Sequence, residues 1–409
     1  MMLTCCQATL RNQEFVAPKI ERRQETLSMS QSKSWRQILK KHSDSFLSWL
    51  DETKYECESL DRLAAQLSEF LIARIRSEAD ARDFWNAIPC VRAACNDPCT
   101  YQRPWAAEAY AYEHLLRRYC RTWAVLKYLT AERVLPLGSQ GVRVLDVGTG
   151  PAPALYAIDD FYSALGRFAQ ESEIQDLCIP PPELGCIENS QAMVRFMHHF
   201  SEHCKRQGPF GPTINDFTAL DLRAKRRTYF ENNRYKTYWD DDTEEYEDWD
   251  DSDLTAQEGS SLFRYRMIIF SNFLTLGDTV SQFEEELRAL FDDLRPGSVV
   301  TILGATGDNY QTIYRRLAQM AGDAQMRNDE WNTDGLGNQI DEGFRVRIKC
   351  AQHAVYLHLE SLAKDPPLPQ TNPWPDHGTP KLSKKARSNF ALRVFRRGKW
   401  PKEKSTRKP

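Results

Sequence analysis

GVRVLDVGTGPAPALYAIDDFY, residues 141–162, runs from a short apolar burst through Asp146 into two glycines, Gly148 and Gly150, and then into a helix-like stretch. A strand followed by such a turn lets backbone approach a ligand closely, because glycine has no side chain and accepts positive φ. A dinucleotide site would continue as G-x-G-x-x-G, with a helix N-terminus facing pyrophosphate. Here Pro153 stands at the third glycine position, and Asp146 would repel a pyrophosphate. An acid at the end of the strand suits a ligand that carries positive charge near its amino-acid portion.

Outward from this stretch, the chain alternates apolar runs with helical ones. VRVLDV precedes APALYAIDDFYSALGRFA, LGCIE precedes SQAMVRFMHHFSEHCKR, YRMIIFSNFL precedes VSQFEEELRALFDDL, and SVVTILGA precedes YQTIYRRLAQMAG. This alternation predicts a parallel sheet covered on both faces, with ligands beyond the carboxyl ends of its strands. NFALRVFRRGKW alternates in a way that suits a late strand.

VLDVGTGPA resembles the first motif of the class I S-adenosylmethionine-dependent methyltransferases, acid-x-Gly-x-Gly, with Ala152 where that family often has a third glycine. LGCIENSQAMVRFM resembles the next motif, in which an acid closes strand two. The resemblance implies an α/β fold with a Rossmann-like seven-stranded sheet, helices on both faces and an N-terminal helical domain in front. S-adenosylmethionine is the implied cofactor. Asp146, Gly148 and Gly150 would line its site, and Glu188 would accept hydrogen bonds from the two ribose hydroxyls, as a carboxylate does well. In TINDFTALDL, Asp216 is the counterpart of the acid after strand three that meets adenine, with Asp221 as competitor. In MIIFSNFLTLGD, Ser271 and Asn272 would touch cofactor or substrate, although a buried, hydrogen-bonded strand end reads equally well there. The double proline that accompanies methylation of planar amines is absent, which weakens an adenine or glutamine acceptor.

The remaining chain divides by composition. Residues 1–32 read as a loose leader and 33–137 as a helical cap that would choose the substrate. Residues 138–400 read as the methyltransferase domain, and 401–409 as a basic tail. The insertion 223–256 holds six basic residues between Arg223 and Lys236, and residues 238–253 hold ten acids and no base. Such a like-charged segment does not fold alone, so it reads as an accessory loop. From Lys381 onward there are twelve Lys or Arg against one Glu. Such runs are solvated ends more often than nucleic-acid sites.

With 41% apolar residues, the 409-residue chain has ample material for a core. Its eleven scattered cysteines and the absence of a basic, apolar leader predict reduced thiols and an intracellular, cytoplasmic setting without a membrane span. His199, His203 and Cys204 share helical spacing but read as a solvated helix face, and Cys90, Cys95 and Cys99 lack paired C-x-x-C spacing, so no metal is expected. Tyr101, Trp105, Tyr110, Tyr112, Tyr119 and Trp123 read as helix packing, with Tyr101, Arg103 and Tyr110 as conceivable lid contacts. The expected function is methyl transfer to an acceptor not identified by the sequence, a small molecule ahead of protein or RNA, with no catalytic residue named. The rival is a binding protein that kept the fold and lost turnover. Oligomeric state is not legible.

Overall fold

The computed structural model describes residues 35–93, 103–137, 141–174, 179–208, 214–218, 265–271, 277–292, 297–304, 308–329, 342–362 and 391–397, with single residues between them. The leader, the charged insertion and the basic tail lie outside the described residues, which all belong to one compact unit, Lys33–Pro409.

Seven strands form one sheet. They are β1 Arg143–Val147, β2 Glu183–Ile187, β3 Ile214–Thr218, β4 Met267–Ser271, β5 Val299–Gly304, β6 Met326–Asp329 and β7 Ala391–Arg397, in the order β3-β2-β1-β4-β5-β7-β6. β1, β2, β3, β4 and β5 pair in parallel, while β7 runs antiparallel to both β5 and β6. Without β7, the order is that of a doubly wound sheet, whose chain reverses direction between β1 and β4. That reversal opens a crevice at the carboxyl ends of β1, β2 and β4.

Residues alternate between the faces of each strand, so β1 serves two cores at once. Val144 packs with the helices α1 Trp35–Thr53, α2 Tyr55–Arg74, α3 Glu78–Ala93, α4 Ala106–Tyr110, α5 Leu116–Ala131, α6 Pro153–Glu171 and α7 Gln191–Gln207. Leu145 and Val147 face the other layer, built from α8 Gly277–Gln282, α9 Glu284–Asp292 and α10 Asp308–Asp323. The five helices before β1 are therefore continuous with the core on one face of the sheet. α6 is apolar on two sides because it is sandwiched: Phe161 meets Trp123 of α5 edge-on at 5.0 Å and Phe46 of α1 at 5.5 Å. Its one buried acid, Asp160, is held by Tyr119 Oη at 2.6 Å and Arg62 Nη2 at 2.8 Å. Buried charge needs such partners.

The sequence pattern does not announce two elements. β6 is only four residues long, and α11, Glu342–Leu362, lies between β6 and β7. α11 leaves and re-enters the sheet at its carboxyl edge, then packs against the N-terminal helices, with Phe344, Ile348, Val355 and Leu359 in their core. Among the described residues, no helix is long and apolar enough to cross a membrane.

Candidate functional site

The turn after β1 has the backbone that its glycines predict. Gly148 and Gly150 take φ of 70° and 58°, and Ala152 follows at φ 63° as the N-cap of α6, with Pro153 in the first turn. Pro fits a first helical turn, where no N–H is needed. A left-handed Ala, by contrast, is strained by its Cβ. The backbone N–H of Gly148 donates to Ile187 O at 2.9 Å, which fastens the turn to the end of β2.

Asp146 is the fourth residue of β1 and shares the face of Val144, so its carboxylate points beneath the helical layer and is fully buried. One oxygen, Oδ2, accepts the Thr149 hydroxyl at 2.5 Å, while Oδ1 is buried without a hydrogen-bond partner. Burial pushes its pKa up to about 7; the Thr149 hydrogen bond opposes the shift, the Glu188 charge adds to it, and the Arg118 charge opposes it. A buried acceptor with nothing to accept from is uncommon and calls for a ligand.

Glu188 follows the last residue of β2 and is 8% exposed. Its Oε2 accepts the Gly150 N–H at 2.7 Å and its Oε1 accepts the Ser190 N–H at 2.8 Å. Burial raises its pKa, against the backbone N–H donors of Ser190, Gly150 and Asn189. A carboxylate has about four acceptor positions, so each oxygen keeps one for a ligand. Ser190 caps α7, accepting the Met193 N–H at 3.4 Å, and donates its hydroxyl to Tyr101 O at 3.3 Å.

The helical layer supplies a wall that sequence spacing could not place. Tyr110 ends α4, and the segment Ala111–Leu115 that follows is wound as a π-helix, an irregularity that re-aims side chains near it. The Tyr110 ring lies against Gly150, with Cε1 at 3.5 Å from where a Cβ would stand. His114 packs edge-on to it at 4.7 Å, Tyr101 at 5.5 Å, and the Arg118 guanidinium sits 4.8 Å from its centroid. Arg103, the third suggested lid contact, lies instead against Cys90 Sγ at 3.6 Å.

Other expected residues fall differently. Asp216 lies inside β3 opposite Gly185, two pairs short of the carboxyl end at Ile187 and Thr218, rather than after the strand. The cause is the register: β3 continues beyond the acid for as long as β2 offers partners. Asp221 and Asn272 lie outside the described residues, while Ser271 ends β4 and is buried beside the crevice. The α7 face of His199, His203 and Cys204 is not simply solvated, because α7 packs under α2. His203 meets Phe70 at 5.5 Å, His199 Nδ1 lies 3.4 Å from Arg74, and Cys204 is buried. Among the described residues, no three His, Cys, Asp or Glu side chains gather as a metal site.

No protein-family profile matches this chain, and no curated protein sequence matches it. Solved structures with related chain paths include class I S-adenosylmethionine-dependent methyltransferases. A TehB-like S-adenosylmethionine-dependent methyltransferase from Corynebacterium glutamicum is 10% identical, with 72% of this chain and all of that one covered and a TM-score of 0.30. The magnesium protoporphyrin IX methyltransferase of Synechocystis, solved with bound S-adenosylmethionine, is 15% identical over 53% of this chain and 75% of its own, with a TM-score of 0.28. The plantazolicin methyltransferase BpumL, solved with S-adenosylhomocysteine, is 11% identical over 78% and 98%, with a TM-score of 0.31. Overlaps this loose decide nothing about the site, and the strand order and the two buried carboxylates carry the functional reading instead.

Proposed function

We propose that the chain is an S-adenosylmethionine-dependent methyltransferase, and that the crevice at the ends of β1, β2 and β4 holds the methyl donor. The observation that carries this reading is the buried, half-unpartnered Asp146 beside a glycine turn, with Glu188 one strand away. The two acids would attract a cationic ligand with hydroxyls and would repel pyrophosphate. Glu188 would take the ribose hydroxyls, Asp146 the cationic amino-acid end through Oδ1, and the open backbone at Gly148 and Gly150 would allow close approach. Ser271 and Asn272 would border the acceptor side, and Asp216 becomes the weakest of the adenine candidates because it sits within its strand.

When bound, the donor supplies a methyl group on a sulfonium whose departure leaves a neutral thioether. What the protein must provide is therefore alignment and water exclusion rather than acid catalysis. The helical layer is suited to both, since Tyr110, Tyr101 and His114 close over Gly150 and keep the carboxylates out of bulk solvent. We assign residues 33–137 the choice of acceptor, with a small molecule preferred over protein or RNA. The test is incubation with methyl-labelled donor and cell extract divided into small-molecule, protein and RNA fractions. Label in one fraction, lost in Glu188→Ala, supports transfer; donor binding with label in no fraction supports the binding protein that lost turnover.

A further inference from the structure

α5 and α11 bring together five cationic side chains next to the candidate donor site. Arg117 and Arg121 lie one turn apart on α5, with Arg118 between them, and Arg345 and Lys349 lie one turn apart on α11. The helices are pinned at a fixed register, because Gln352 Nε2 donates to Tyr112 O at 2.8 Å and the Tyr112 hydroxyl donates to Gln352 O at 3.3 Å. Lys349 sits one turn before Gln352 on the same face, which carries it and Arg345 towards α5. Arg347, on a different face of α11, is instead paired with Asp61. The cluster reaches the donor site through Arg118, whose guanidinium stacks on the Tyr110 ring that in turn covers Gly150.

We propose that the methyl acceptor carries a compact anionic group, a carboxylate or phosphate, received by Arg117, Arg118, Arg121, Arg345 and Lys349 at the mouth of the site. This rests on the methyl-donor reading of the neighbouring crevice. Like charges crowded on two facing helices repel one another, and an anion between them relieves the repulsion. The crowding is visible in the titration of the group: burial, then the charges of Arg118 and Arg117, pull Arg121 down to about 10, and burial, then Arg117 and Arg345, lower Lys349. Four of the five side chains are half-buried and Arg117 is exposed, so the cluster is open to solvent yet partly desolvated. Guanidinium groups bind planar carboxylate and phosphate oxygens in pairs. A nucleic-acid backbone would call for an extended cationic stripe that tracks successive phosphates, whereas this group is compact and backed by aromatic rings.

The test titrates pyrophosphate and, separately, citrate into the full chain by calorimetry at low salt, with and without saturating S-adenosylhomocysteine. Saturable one-to-one binding of at least one anion is expected, weakened by about tenfold or more in Arg117→Gln/Lys349→Gln. Arg195→Gln, on the exposed side of α7, should bind the anion as the wild type does. Should the double variant fail to fold, Arg345→Gln alone should show the same direction of change. The proposal is overturned if neither anion saturates, if Arg195→Gln weakens binding as much as the double variant, or if only a single-stranded RNA oligomer binds, with steep salt dependence. Anion binding without S-adenosylhomocysteine binding would sink the donor reading and leave the anion site standing; the converse would sink the anion site alone.

Discussion

Replacing Asp146 with Asn should make the ligand-free protein more stable at pH 8 and less able to bind its ligand. The side chain is fully buried, and burial raises its pKa from the ordinary 3.8 to about 7. A carboxyl that holds its proton more tightly when folded favours the fold at pH below 3.8, and loses that advantage as pH rises through the folded value. The difference of roughly three units, at about 1.4 kcal/mol each, makes the ionised form cost about 4 kcal/mol above pH 7. Asn never ionises and can still accept the Thr149 hydroxyl that Asp146 accepts at 2.5 Å. Urea unfolding between pH 4 and 8 should therefore show the variant ahead by several kcal/mol at pH 8, with the gap closing to under about 1 kcal/mol at pH 4. Equal stability at pH 8, or a gap that does not narrow on acidification, would refute the claim that Asp146 is a desolvated, uncompensated acid.

Three further outcomes follow from the same geometry. Ala152→Gly should raise stability by up to about 1 kcal/mol in urea unfolding, because the residue stands at φ 63° where a Cβ is strained. Tyr119→Phe should cost about 1 to 3 kcal/mol by the same measurement at pH 7, since it strips the 2.6 Å hydrogen bond from buried Asp160. Separate deletions of residues 238–253 and 401–409 should leave S-adenosylhomocysteine affinity unchanged in calorimetry; a loss in either would show that the charged segment belongs to the donor site.

The sheet was largely legible because its central strands are buried on both faces and read as continuous apolar runs, with acids only at their carboxyl ends. Asp146 and Glu188 were found for that reason. The end of β3 was not legible, because the partner strand β2 decides how far pairing runs past Asp216. β6 escaped because Met326 is its one clearly apolar residue and it is an edge strand, held by the backbone of β7. α11 escaped because exposed Val346 and Leu357 blur the stripe of Phe344, Ile348, Val355 and Leu359. Tyr110 over Gly150 joins residues forty apart through the π-helical turn, and the cationic cluster joins α5 to α11 across more than two hundred residues. No local pattern encodes either.

The most direct test of the donor site is a calorimetric titration of S-adenosylmethionine into the protein at pH 7.5 and at pH 6.0. A cationic ligand at Asp146 favours the ionised acid, so protonation below pH 7 must compete with binding. One molecule should bind per chain, about tenfold more weakly at pH 6.0, with a further loss in Glu188→Ala and no displacement by NAD at equal concentration. Absence of heat at both pH values, or displacement by NAD, would contradict the account.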